Sequence, residues 1–213
     1  MNCVAVITAK RFDQAKQRLA GSVDPELKVG LVAAMLADVL AAVAKSRGVE
    51  HTIVVTGEQS AANLALESGA EVIEDPEDTG HCEAALLGVD RALQMGARCV
   101  VLLPGDCPLL DPLELDNLLT GLPVPFVAVV PDRHGTGTNS LVLVPPDAIR
   151  PAFGEGSCER HRKIARDAGI PHAVEKVPTL ALDLDTPADI VALMTKLELT
   201  GGRAEKTARA LGI

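Results

Sequence analysis

Asp106 sits in the run LLPGDCPLL, directly after an apolar stretch, and Asp183 and Asp185 sit in LALDLDTPADI, just before a helix signal. Carboxylates are hard oxygen donors, and magnesium is usually held by one or two of them together with substrate phosphates. A third segment, TAKRFDQAKQRLAG, carries Lys10, Arg11, Lys16 and Arg18. Cations there could bind the β- and γ-phosphates of a nucleotide and stabilise charge as pyrophosphate leaves. Each feature also has a plainer explanation. Asp106 could cap the turn before Pro108, Asp185 could be the N-cap of the helix that follows Thr186-Pro187, and the basic run could be a solvated loop.

The surrounding elements decide whether these groups can meet. Cys3–Thr8, Thr52–Thr56, Glu71–Glu74 and Cys99–Leu103 read as short buried strands. Between them, Pro25 to about Arg47, Glu58–Ser68 and Cys82–Met95 read as helices, the first with Asp24 as N-cap and Pro25 at the first helical position. Strands alternating with helices at this spacing imply parallel βαβ units with helices on both faces of the sheet. Beyond them, Phe126–Val130 and Leu141–Val144 flank the polar segment PDRHGTGTN, which suggests a mixed or antiparallel edge. A helix is expected over Cys158–Ala168, short strands over His172–Val177 and Leu180–Leu184, and a helix over Pro187–Leu197. From Gly201 the chain is expected to be a loosely held tail. The expectation is therefore one α/β domain, in which ligands bind beyond the carboxyl ends of the strands. Asp106, the basic loop and the Asp183/Asp185 pair all belong at such ends, and Gly105 lets the backbone turn there.

Composition limits the partners. Of 213 residues, 47% are hydrophobic but only 1% aromatic, so the core is aliphatic and base stacking on aromatic side chains is disfavoured. A formal net charge of −9 argues against a duplex-binding surface, hence no nucleic-acid partner. The five cysteines show no C-x-x-C spacing and read as reduced thiols. No apolar run reaches membrane-spanning length and no basic leader opens the chain, so a cytoplasmic protein without a membrane partner is expected. The G-x-x-x-x-G-K phosphate loop and the G-x-G-x-x-G fingerprint are both missing after the first strand.

Taken in order, TAKRFDQAKQRLAG, LLPGDCPLL, RHGTGTNSLVL, FGEGSCERH and LDLDTPADI resemble the bacterial phosphoenolpyruvate (or phospholactate) guanylyltransferases of coenzyme F420 biosynthesis, nearly to Leu197. The resemblance implies a single-domain nucleotidyltransferase fold of the nucleotide-diphospho-sugar transferase type. It implies transfer of GMP from GTP to a small phosphorylated C3 acid, with release of pyrophosphate and with Mg2+ as cofactor. It makes Asp106 and Asp185 the metal carboxylates, with Asp183 beside them, and places Lys16 and Arg18 on the triphosphate, near Lys10 and Gly105. Thr138, Gly154 and Ser157 match the acceptor contacts, and Arg160 and His161 add donors in the first turn of the helix that Ser157 precedes. The plainer reading there is that Ser157 is only an N-cap and Gly154 a turn residue.

The chain also departs from the pattern. Where many relatives have G-L-N-x-A, it has Gly80-His81-Cys82-Glu83-Ala84, and Cys107 follows the metal Asp where it could face the acceptor. The acceptor is open among phosphoenolpyruvate, 2-phospho-L-lactate and 3-phospho-D-glycerate. A molybdopterin or sugar-phosphate nucleotidyltransferase and a non-catalytic nucleotide-binding regulator are the competing readings. The apolar 126–145 region could pair edges across a homodimer, and a labile diphosphate product would favour coupling to the next transferase.

Overall fold

In the computed structural model the described residues are 2–12, 16, 24–78, 80–200 and 203–213. They form seven strands and seven helices: β1 (Cys3–Ala9), α1 (Pro25–Val43), β2 (His51–Thr56), α2 (Gln59–Glu67), β3 (Glu71–Glu74), α3 (His81–Gln94), β4 (Cys99–Pro104), α4 (Pro112–Leu119), β5 (Phe126–Pro131), β6 (Thr138–Val144), α5 (Ser157–Asp167), β7 (His172–Val174), α6 (Pro187–Thr200) and α7 (Glu205–Leu211). The strands make one sheet in the order β3-β2-β1-β4-β6-β5-β7. All run parallel except β6, which is antiparallel to β4 and to β5. The antiparallel strand thus lies inside the sheet rather than at its edge.

Central strands buried on both faces need continuous apolar runs, and β1 supplies one: Val4, Ala5, Val6 and Ile7 are at most 1% exposed. Cys3, Ala5 and Ile7 face a core shared with α1, α2, α4, α6 and α7, while Val4 and Val6 face a second core shared with α3 and α5. Two helical layers therefore clamp the sheet. The α3 layer comes so close that a Cβ on Gly88 would stand 2.2 Å from Val6 Cγ1. None of the described helices is long and apolar enough to cross a membrane. The five cysteines are free thiols.

Three expectations need correction. Helix α4 was not expected, although Asp111 accepts from the Leu113 N–H at 2.9 Å and Pro112 opens the helix, the same Asp-Pro signal that starts α1. Leu180–Leu184 is not a strand. It passes across the end of the sheet with no ladder partner, held instead by Asn139 Nδ2 donating to the Leu180 carbonyl at 2.7 Å and by Leu184 N–H donating to Asp106 O at 3.3 Å. Past the expected tail's start, α7 packs on α1: the buried Asp38 accepts from Lys206 N–H, Thr207 N–H and the Thr207 hydroxyl at 3.2, 2.8 and 2.7 Å.

Gly88→Ala should lower stability by about 1–3 kcal/mol, because a stiff β-branched neighbour leaves no room for the added methyl. Thermal unfolding checks this. A stabilised variant, as helix propensity alone would give, would contradict the close α3–β1 contact.

Candidate functional site

Successive connections run outward from β1 in one direction to β2 and β3, then return to place β4 on its other side. That reversal opens a crevice at the carboxyl ends of β1 and β4, where open α/β sheets bind ligands. The basic loop leaves β1 there, and the turn carrying Asp106 leaves β4 there. Gly105 belongs to that turn, where a Cβ would stand 3.3 Å from Leu36 Cδ1; its role is close packing under the site rather than a place on the cleft wall.

Lys16 Nζ lies between two carboxylates, bonded to Asp106 Oδ2 and, at 2.5 Å, to Asp185 Oδ1. Its side chain is 7% exposed. Burial works against its charge, but Asp106 and Asp185 outweigh that and raise its pKa above the ordinary lysine value, so it stays an ammonium. The residue is also in the left-handed region, at φ 54°, a conformation that costs a non-glycine residue roughly 1–2 kcal/mol. The rest of the basic loop divides. Lys10 lines the cleft, Arg11 donates to the Pro76 carbonyl at 3.1 Å, the buried Phe12 anchors the loop in the core, and Arg18 lies outside the described residues.

The third carboxylate stands apart from this trio. Asp183 Oδ1 accepts from Asn139 Nδ2 at 3.3 Å. Burial and the charges of Asp106 and Asp185 push its pKa up, against the Asn139 hydrogen bond. Among the described residues no three His, Cys, Asp or Glu are close enough to form a metal cluster. Two carboxylates converge, and the third is their neighbour. Asp106 Oδ1 is buried and has no hydrogen-bond partner, an orphan acceptor beside a seat already holding positive charge. Hard oxygen donors of this number fit Mg2+, which completes its octahedron from waters and phosphates.

Asp185 owes its position to Asp189, whose role the sequence did not reveal. Asp189 Oδ2 accepts from Asp185 N–H, Thr186 N–H and the Thr186 hydroxyl at 3.1, 2.6 and 2.7 Å, and Oδ1 pairs with Arg133 at 2.7 Å. The signal was present as the last acid of D-x-D-T-P-x-D, which reads as an ordinary first-turn carboxylate.

The cleft is open and about 690 Å³ in volume. Lys10, Asp183 and Asp185 line it together with Thr138, Gly154 and Ser157, and with His81 and Cys82 from the start of α3. The N-termini of α3 and α5 both open onto it, which favours an anionic ligand. At α5 the expected free amides are partly used: Ser157 N–H donates to Gly154 O and Cys158 N–H to Thr136 O, both at 3.1 Å. The group left on offer is the Ser157 hydroxyl, which is buried and without a partner.

Arg160 and His161 do not line the cleft. The Arg160 guanidinium holds the carbonyls of Ala152 and Glu155 at 2.7 and 2.6 Å. His161 is fully buried, 3.0 Å from Thr138 Oγ1 through Nδ1, and its Nε2 accepts from Ala152 N–H at 2.8 Å. Burial, Arg160 and His81 lower its pKa to about 4. Cys107 does not face the acceptor either. It is buried, its thiol donates to the Leu180 carbonyl at 3.5 Å, and burial raises its pKa well above the usual range. His81, at the departure from the family pattern, contacts the Thr8 hydroxyl at 3.1 Å and stacks edge-on against Phe153 at 4.3 Å; burial lowers its pKa, with Asp106 opposing and Lys10 adding to the shift.

Asp189→Asn should cost roughly 2 kcal/mol in thermal stability, the scale of losing hydrogen bonds to a charged acceptor. Any nucleotidyl transfer should fall with it, because Asp185 is no longer held. Full activity in this variant would show that Asp185 needs no such tether.

Comparison with known proteins shows the family and the fold. The model of the guanylyl transferase CofC-like family matches residues 3–213. The chain is 40% identical over 210 residues to the phosphoenolpyruvate guanylyltransferase of Conexibacter woesei, covering 97% of this chain and 94% of that one. It is 39% identical over 193 residues to the enzyme of the same name from Sphaerobacter thermophilus, covering 91% and 93%. A solved structure from Desulfovibrio desulfuricans G20, provisionally described as a nucleotide-diphospho-sugar transferase, superposes with a TM-score of 0.76 at 17% identity, covering 99% of this chain and 94% of that one; it establishes the fold alone. With a family model spanning almost every residue behind a cleft whose two converging carboxylates suit nucleotidyl transfer, the chain belongs to the CofC-like guanylyl transferase family, whose members are nucleotidyltransferases.

Proposed function

We propose that this chain transfers GMP from GTP to phosphoenolpyruvate, giving enolpyruvoyl-2-diphospho-5′-guanosine and pyrophosphate, as the names of its relatives suggest. One observation carries the reading. Asp106 and Asp185 converge on a single ammonium, and Asp185 lines the same cleft as Thr138, Gly154 and Ser157. An acceptor phosphate and a nucleotide triphosphate can therefore share one cleft.

The chain's groups would divide the work as follows. The Ser157 and Thr138 hydroxyls bind the acceptor's phosphate, and Gly154, at φ 113°, lets the backbone approach it. An acceptor phosphate oxygen attacks the α-phosphorus in line, and the bond to the bridging oxygen of pyrophosphate breaks. Such a step needs orientation and neutralisation of charge more than a protein nucleophile. Lys10 and Lys16 supply cationic charge for the leaving pyrophosphate, joined by Arg18 from the same loop. Mg2+ would be held by Asp106 and Asp185, with Asp183 adjacent, and would supply Lewis-acid neutralisation of phosphate oxygens. Lys16 and its two carboxylates carry a net charge of −1, so the site retains an attraction for a further cation. The place of action would be the cytoplasm.

Pyrophosphate release from GTP should require phosphoenolpyruvate and should stop when Mg2+ is chelated. Asp106→Asn and Asp185→Asn should each lower the rate about 100-fold or more. Mass spectrometry of parallel reactions with phosphoenolpyruvate, 2-phospho-L-lactate and 3-phospho-D-glycerate should give the enolpyruvoyl product from the first. No pyrophosphate with any of the three would sink the reading, and a different preferred acid would correct the acceptor.

A further inference from the structure

We propose that His161 is a positioning residue that sets the direction of the Thr138 hydroxyl, so that Thr138 presents a proton to the acceptor's phosphate; this rests on the reading of the cleft as the acceptor site. A backbone N–H can only donate. Ala152 N–H, 2.8 Å from Nε2 of His161, therefore requires Nε2 to be the nitrogen with the lone pair. A neutral ring then carries its hydrogen on Nδ1, which lies 3.0 Å from Thr138 Oγ1. The ring donates and the hydroxyl accepts, so the hydroxyl's own hydrogen cannot point back at the ring. The space left to it is the cleft that Thr138 lines.

The surroundings keep this arrangement in place. His161 is fully buried, with its pKa lowered to about 4, so the ring is neutral at pH 7. The Phe153 ring packs edge-on against it at 5.2 Å. One imidazole thus ties the start of β6 to the 152–154 loop, the two walls that carry Thr138 and Gly154. A phosphate monoester dianion accepts hydrogen bonds and offers none. A Thr138 hydroxyl that presents its proton suits it, beside the unpartnered Ser157 hydroxyl, whereas a wall of lone pairs would repel it.

Nitrogen-15 NMR of the imidazole at pH 7, assigned by loss of the signal in His161→Phe, should show hydrogen on Nδ1 and an unprotonated Nε2. The opposite tautomer, or a doubly protonated ring, overturns the inference whatever the activity. In turnover, His161→Phe should raise KM for phosphoenolpyruvate about 10- to 100-fold, the scale of one hydrogen bond to a charged group, while KM for GTP stays within about twofold. Thr138→Val should do the same. The double variant should be no worse than the worse single one, because both act through one hydroxyl. Effects that multiply would show that His161 acts elsewhere. If His161→Phe fails to fold, His161→Leu, which likewise has no donor, takes its place in the cycle, judged the same way. A wild-type protein that turns over no acceptor removes the proposed function, and the NMR result still decides the tautomer.

Discussion

An ammonium buried between two carboxylates organises the carboxyl end of this protein's sheet. Taking Lys16 out of water costs free energy that only nearby negative charge offsets, and Asp106 and Asp185 supply it from distant parts of the chain. The arrangement is two acids against one base, with Asp183 close by. It retains negative charge in a region whose nearby helix N-termini and Lys10 are positive. That juxtaposition is useful for phosphate chemistry. The carboxylates seek a cation, the helix ends and hydroxyls seek an anion, and a magnesium nucleotide carries both.

The scaffold's task is to hold charges whose mutual geometry the local chain cannot fix. The reversal of winding at β1 and β4 brings the basic loop and the Asp106 turn to one crevice. The 180–185 connection crosses that crevice without joining the sheet, so hydrogen bonds replace a ladder: Asn139 grips its start and Asp189 its end. Behind Thr138 and Gly154, Arg160 and His161 do the same for the 152–155 loop. In each case a buried or backbone-bound polar side chain stands one step behind the group that faces the cleft. This layered support is what preorganised sites require.

Much of the fold was legible because it is written in local patterns. The runs CVAVIT, TIVVT and CVVLL announce buried strands, and Asp24-Pro25 announces a helix start, since capping and burial act within a few residues. The Asp111-Pro112 pair carries the same message for α4, but it lies between two apolar runs that mask the helical period. Leu180–Leu184 has the composition of a strand, but a strand also needs a neighbour offering free backbone groups. At that place the chain meets side chains instead. Likewise the polar segment after Gly201 looks loose until the Asp38 carboxylate, far away in the chain, binds the start of α7.

The sequence by itself determined the alternating α/β order, the aliphatic core, and a short set of acids, bases and hydroxyls able to handle nucleotides. Residue type and local spacing suffice for those. Tertiary structure alone decided how the set divides. It paired Asp106 and Asp185 on Lys16, left Asp183 to Asn139, buried Cys107, and moved Arg160 and His161 from the cleft to the layer behind it. The physical reason is that hydrogen bonds and ion pairs act over a few ångströms of space, and separation along the chain says nothing about that distance until the sheet has closed.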